Sequence, residues 1–92
     1  MWTENEYVLI TSAVGGEKNI VSISSCFTRV RIQVVDLHRI HSDVLKTLPL
    51  VKGILVRGEE VQLVVGLEAT LLAESFNKYF KEAQKVPYRT CI

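Results

Sequence analysis

The chain has 92 residues, 48% of them apolar, with 11 basic and 10 acidic side chains and a formal net charge of +1. A chain of this length holds one domain with one modest core, and its apolar fraction excludes disorder. The near-neutral charge excludes a dedicated nucleic-acid binder, and no apolar run approaches the roughly 20 residues of a membrane-spanning helix. Met1-Trp2-Thr3-Glu4 lacks the basic start and apolar stretch of a signal peptide. The chain is therefore expected to be cytoplasmic, either free or as a soluble piece of a larger membrane protein.

Thr3 and Glu6 have the spacing of a capping box, and Tyr7, Ile10, Ala13 and Val14 then recur at helical spacing until Gly15-Gly16. Residues 20–25 read as a strand rich in β-branched residues, followed by a tight connection around Cys26-Phe27-Thr28. Residues 29–34 alternate strictly: Val30, Ile32 and Val34 on one face, Arg29, Arg31 and Gln33 on the other. Leu37, Ile40, Val44, Leu45 and Leu48 form a second helical stripe that Pro49 stops. Residues 50–56 and 60–65 read as strands joined by a turn at Arg57-Gly58-Glu59, and Gly66 ends the second. Leu71, Leu72, Ser75, Phe76, Tyr79 and Phe80 mark a third helix.

The predicted order is α-β-β-α-β-β-α. Short connections make each strand pair an antiparallel hairpin. The expected fold is α+β: a two-layer sandwich, with a four-stranded antiparallel sheet, three helices on one face and the other face open. Residues 1–84 form the predicted domain, and residues 85–92, with Pro87, form a tail or the start of a linker.

Period-two geometry puts Arg29 and Arg31 together on the open face, close to Cys26. Two guanidiniums stabilise a thiolate, the nucleophilic form of cysteine, and their forked donors match phosphate oxygens. The Thr28 hydroxyl and turn N–H groups are further donors to an anion. On these residues alone two readings stand: a nucleophilic thiol beside a phosphate site, or a small buried cysteine next to a solvated arginine face. Cys91, close to the C-terminus, is read as incidental.

The segment Asn19-Ile20 … Cys26-Phe27-Thr28-Arg29-Val30-Arg31 resembles the phosphorylation-site motif of the glucose-family enzyme IIB domains of the sugar phosphotransferase system. There an asparagine–isoleucine pair precedes a Cys-x-Thr-Arg-x-Arg run. The likeness continues through Asp36, Val61-Gln62 and Gly66, covers roughly residues 4–83, and includes the order of elements. It implies that Cys26 accepts a phosphoryl group from a phosphohistidine on a IIA partner and passes it to a sugar held by a membrane-embedded IIC domain. It further implies that Arg29 and Arg31 serve the onward transfer, that Thr28 binds the phosphate and that Gln62 lies near the site. It requires no cofactor or metal, and it locates the domain at the inner face of a bacterial membrane, without insertion of this chain. Two departures stand out. Ser24 and Ser25 replace the acidic or histidine residue often found before the cysteine, and Glu60 replaces the glycine often found before the valine–glutamine pair.

Competing chemistries fail on spacing. A cysteine phosphatase needs an arginine six positions after its cysteine, and Ile32 stands there. A dithiol enzyme needs a second cysteine nearby. His38 and His41 with Cys26 lack zinc-ligand spacing and read as helix-surface residues. Two non-transport alternatives share the fold: a regulatory domain phosphorylated on Cys26, and a ligand-sensing module with no covalent step.

Overall fold

A computed structural model describes the backbone of residues 2–91 and the side chains of residues 2–81. Helix α1 covers Glu4–Ala13 and opens with the predicted capping box. Thr3 N donates to Glu6 Oε1 at 2.7 Å and Glu6 N donates to Thr3 Oγ1 at 3.3 Å, so two otherwise orphaned amides are satisfied. Strands β1 (Ile20–Cys26), β2 (Arg29–Val34), β3 (Gly53–Arg57) and β4 (Glu60–Val64) form one antiparallel sheet in the order β1-β2-β4-β3. Helix α3 runs over Ala69–Cys91. It continues through the stretch from Lys85 assigned above to a tail or linker; the side chain of Cys91 lies outside the described residues.

The expected α+β sandwich is the fold. Val30, Ile32 and Val34 of β2 and Val61 and Leu63 of β4 are fully or almost fully buried, together with Ile10, Leu72 and Phe76 from the helices and Val14 at the end of α1. Each such aliphatic side chain contributes about 1.5–3 kcal/mol on burial. Tyr7 stacks on Phe76 and on Tyr79, both with ring centroids at 5.3 Å, which joins α1 to α3. The edge strand β1 is tied to α3 by Asn77 Nδ2 donating to the Ile23 carbonyl at 2.8 Å.

Two elements depart from expectation. The second helical stripe is not one helix: Leu37–Arg39 is a 3₁₀ turn and α2 covers only Ser42–Leu45. Asp36 Oδ1 caps the 3₁₀ turn by accepting from His38 N at 2.9 Å. The His41 amide then donates to the Ala13 carbonyl at 2.7 Å, so the chain bends to serve α1 rather than continue its own helix. Strand β3 starts at Gly53 rather than Leu50. Leu50 sits at φ +76°, a left-handed conformation that interrupts an extended run.

Asn19 is the buried polar joint of the helix–sheet seam. Its Nδ2 donates to the carbonyls of Val14 at 2.6 Å and Asp36 at 2.9 Å, and its Oδ1 accepts from the Asp36 amide at 2.8 Å. Asn19→Ala leaves three backbone groups unsatisfied and is expected to destabilise the fold by about 2–3 kcal/mol. Urea unfolding should show a lower midpoint with an unchanged slope; an unchanged midpoint would contradict this role.

Candidate functional site

Strand β2 lies between β1 and β4, and the registers on its two sides build the open face. Side chains directly opposite each other share a face. Cys26 opposes Arg29, which opposes Val64, making the row nearest the β1–β2 turn. Ser24, Arg31, Gln62 and Leu55 form the next row, and Ser22, Gln33, Glu60 and Arg57 the third. Successive rows are about 7 Å apart along the strands. The sequence places the two arginines on the open face, and the sheet does so; Cys26 and Gln62 join them there.

Cys26 is the last residue of β1 rather than part of the connection, and its thiol is free and exposed. The connection is therefore two residues long, Phe27 and Thr28. Phe27 adopts φ +50° and is 89% exposed, an unfavourable conformation for a bulky residue and an unusual exposure for an aromatic one. The Thr28 carbonyl accepts from both Val65 N at 2.8 Å and Gly66 N at 3.0 Å, pinning the turn to the β4–α3 junction. The same contacts bring Leu67, 93% exposed, to this end of the sheet. Ser25 Oγ donates to Thr70 Oγ1 at 3.3 Å, and the neighbouring Leu71 is 57% exposed. Phe27 and Leu67 thus put exposed apolar residues at the Cys26 end of the sheet, while Ser25, opposite the buried Val30, places Thr70 and Leu71 on the helix side.

The charged side chains form a chain of contacts. Arg29 Nη1 donates to Gln62 Oε1 at 2.9 Å, Gln62 Nε2 donates to Glu60 Oε1 at 2.7 Å, and Arg31 Nε donates to the same Glu60 oxygen at 2.9 Å. Gln62 is only 6% exposed, so its amide is satisfied at both ends, as a buried polar group requires. Hydrogen bonds from Arg31 and then Gln62 hold the Glu60 carboxyl below the usual glutamate range. The hydrogen bond to Glu60 raises the affinity of Arg31 for its proton, with a smaller contribution from Cys26.

His38 and His41 lie beyond the Val34 end of β2, at the opposite end of the sheet from Cys26. The His38 ring contacts Asp36 at 3.2 Å. Among the described residues no group of three His, Cys, Asp or Glu side chains is close enough to hold a metal ion, and no helix is long and apolar enough to cross a membrane.

The sequence reading missed the Arg31–Glu60 contact and the Arg29–Gln62 bond, because both depend on β2 lying next to β4. It also missed the exposure of Phe27, for which the only local signal is an aromatic residue in a two-residue turn.

Residues 9–40 match the family described as phosphotransferase system, EIIB. The chain is 35% identical over 79 residues to the alpha-glucoside-specific EIICB component of Klebsiella pneumoniae, an alignment covering 85% of this chain and 14% of that protein. It is 30% identical over 94 residues to the MurNAc-GlcNAc-specific EIIBC component of Staphylococcus aureus, covering 88% of this chain and 19% of the relative. The chain thus spans less than a fifth of the length of these relatives. Among solved structures, one domain of a phosphotransferase-system IIabc component from Clostridium difficile superposes with a TM-score of 0.59 at 29% identity, covering 91% of this chain and 85% of that one.

The Glu60 carboxyl has a lowered folded-state pKa, so the stability it contributes is present above the unfolded glutamate pKa and is lost as pH falls through the folded value. Carboxyl-carbon NMR should show Glu60 titrating below the ordinary glutamate range. Glu60→Gln should remove that part of the acid-side loss of stability; an ordinary Glu60 titration would count against the contact.

Proposed function

The chain belongs to the EIIB family of the phosphotransferase system, in its glucose-type branch, and on that premise we propose that it is the domain of a sugar transporter that carries the phosphoryl group on Cys26. The observation that carries the reading is the row pairing of the exposed Cys26 with Arg29, with Arg31 in the next row of the same face.

In the first half-reaction the Cys26 thiolate attacks the phosphorus of a phosphohistidine on a IIA partner. The S–P bond forms as the P–N bond breaks, and the imidazole nitrogen keeps the electron pair. In the second, a sugar hydroxyl oxygen attacks the same phosphorus. The O–P bond forms, the S–P bond breaks, and sulfur leaves as the thiolate; the hydroxyl proton passes to a base on the sugar-binding partner. Such transfers depend mainly on positioning and on neutralising charge at the equatorial oxygens. Arg29 and Arg31 supply that charge as permanently ionised groups, and Thr28 supplies a hydroxyl donor. Gln62 holds Arg29 in the unphosphorylated domain through its 2.9 Å bond.

The relatives named as EIICB, EIIBC and IIabc components support partnership with A and C components and a working position at the cytoplasmic face of a membrane-bound transporter. The exposed Phe27, next to Cys26 in the turn, and Leu67 at the same end of the sheet support docking of the donor at this end. Exposed apolar side chains beside a charged centre suit a partner with an apolar patch ringed by carboxylates.

The test is intact mass after incubation with phosphoenolpyruvate, enzyme I, the histidine carrier protein and a glucose-type IIA. One added phosphoryl group is expected, absent in Cys26→Ser and retained in Cys91→Ser; charging of the Cys26→Ser protein at the normal rate would refute the carrier role. Arg29→Lys keeps the charge and loses the fork, so transfer to sugar should fall more than acceptance from IIA. Phe27→Asn removes the ring while suiting the left-handed turn. It should raise the IIA concentration for half-maximal transfer about tenfold, with little change in maximal rate; an unchanged half-maximal concentration would exclude Phe27 from docking.

A further inference from the structure

The open face brings together Cys26 on β1, Arg29 and Arg31 on β2, Arg57 on β3 and Glu60 on β4. Both arginines hydrogen-bond toward β4, on the side of β2 away from β1. Arg29 shares the row of Cys26, yet its guanidinium bonds Gln62 in the second row. Arg31 belongs to the second row, yet its Nε bonds Glu60 in the third. One carboxylate oxygen anchors the series, because Glu60 Oε1 accepts from Arg31 and from the Gln62 amide that orients toward Arg29. Arg57, opposite Glu60 in register, adds a smaller attraction on the carboxylate.

We propose that Glu60 is a positioning residue that draws Arg31 directly, and Arg29 through Gln62, away from the resting thiol, and yields both to the phosphoryl group once Cys26 carries it. The inference rests on the phosphocysteine reading above. The hold is suited to release. It reaches Arg31 through Nε at a single oxygen rather than through a two-pronged fork, and the Arg31 side chain is 40% exposed. A phosphoryl group on Cys26 offers two negative charges and three oxygens in the row where Arg29 already stands, a better partner than a carboxylate shared between two donors. The thiol is thereby kept less activated at rest than two free guanidiniums would make it, and the cation cage closes only around the loaded sulfur.

Alkylation by iodoacetamide as a function of pH reads the resting half of this proposal. Glu60→Gln frees Arg31, so the profile should move to lower pH and the rate at neutral pH should rise about two- to threefold, as thiolate fraction grows near a cation. Glu60→Asp retains the anion and should stay closer to the native profile. Removing a negative charge acts on the thiol even without movement of Arg31, so the same substitution is repeated in an Arg31→Gln background. A rise that shrinks there shows that Glu60 acts through Arg31; an equal rise in both backgrounds overturns the proposal.

The loaded half is read by NMR of the native protein before and after phosphorylation by charged IIA. The Arg31 Nε–Hε resonance should shift and the Glu60 carboxyl pKa should rise toward its ordinary range. Unmoved Arg31 and Glu60 signals, with Cys26 demonstrably phosphorylated, overturn the release step alone. A native protein that takes no phosphoryl group overturns the carrier reading and the release step with it, while the alkylation comparison still decides whether Glu60 restrains the arginines.

Discussion

The period of two residues in β2 is the constraint from which the rest follows. Val30, Ile32 and Val34 fill the core beneath the sheet, and Arg29, Arg31 and Gln33 take the opposite face. Because β2 is paired on both sides, its alternation also sets which residues of β1 and β4 face outward. A slip of one residue would bury two guanidiniums and expose the core, and burying unpaired charges costs far more than a modest core of this size can offset. Core formation and site formation are thus one event: the register that hides the aliphatic residues also brings Cys26 beside Arg29.

The open face concentrates positive charge in a chain that is almost neutral overall. Arg29, Arg31 and Arg57 lie on two different strands, β2 and β3, with Glu60 on the strand between them. Local arrangement, rather than net charge, therefore sets the electrostatics of this face. The nearly buried Gln62 couples the arginines into one unit, so that movement of one changes the hydrogen bonding of the other. Such networks respond to a new charge collectively.

Much of this was legible in the sequence because it is local. Alternation in residues 29–34 identifies both the strand and its wet face, and the Thr3–Glu6 spacing identifies the first turn of α1. The Cys-x-Thr-Arg-x-Arg run selects the family, which local chemistry leaves open. What stayed hidden is nonlocal. The stripe from Leu37 to Leu48 has helical spacing, but the Ala13 carbonyl takes the His41 amide and divides it. The apolar run before Gly53 has strand character, but the backbone turns left-handed at Leu50. The partners of Arg29 and Arg31 depend on β4 lying between β2 and β3, an order that no spacing within either hairpin reveals. Asn19 is visible as a motif residue, and only the folded chain shows that its side chain stitches Val14 to Asp36.

The carbonyl of Thr28, held by the amides of Val65 and Gly66, gives the adjoining turn and Cys26 a fixed address. A two-residue turn clamped from the far side of β2 has little room to swing its sulfur from one visitor to another. On the proposed carrier reading, a thiol on such a mount does not swing between its two partners, and both would have to use the same exposed spot in turn.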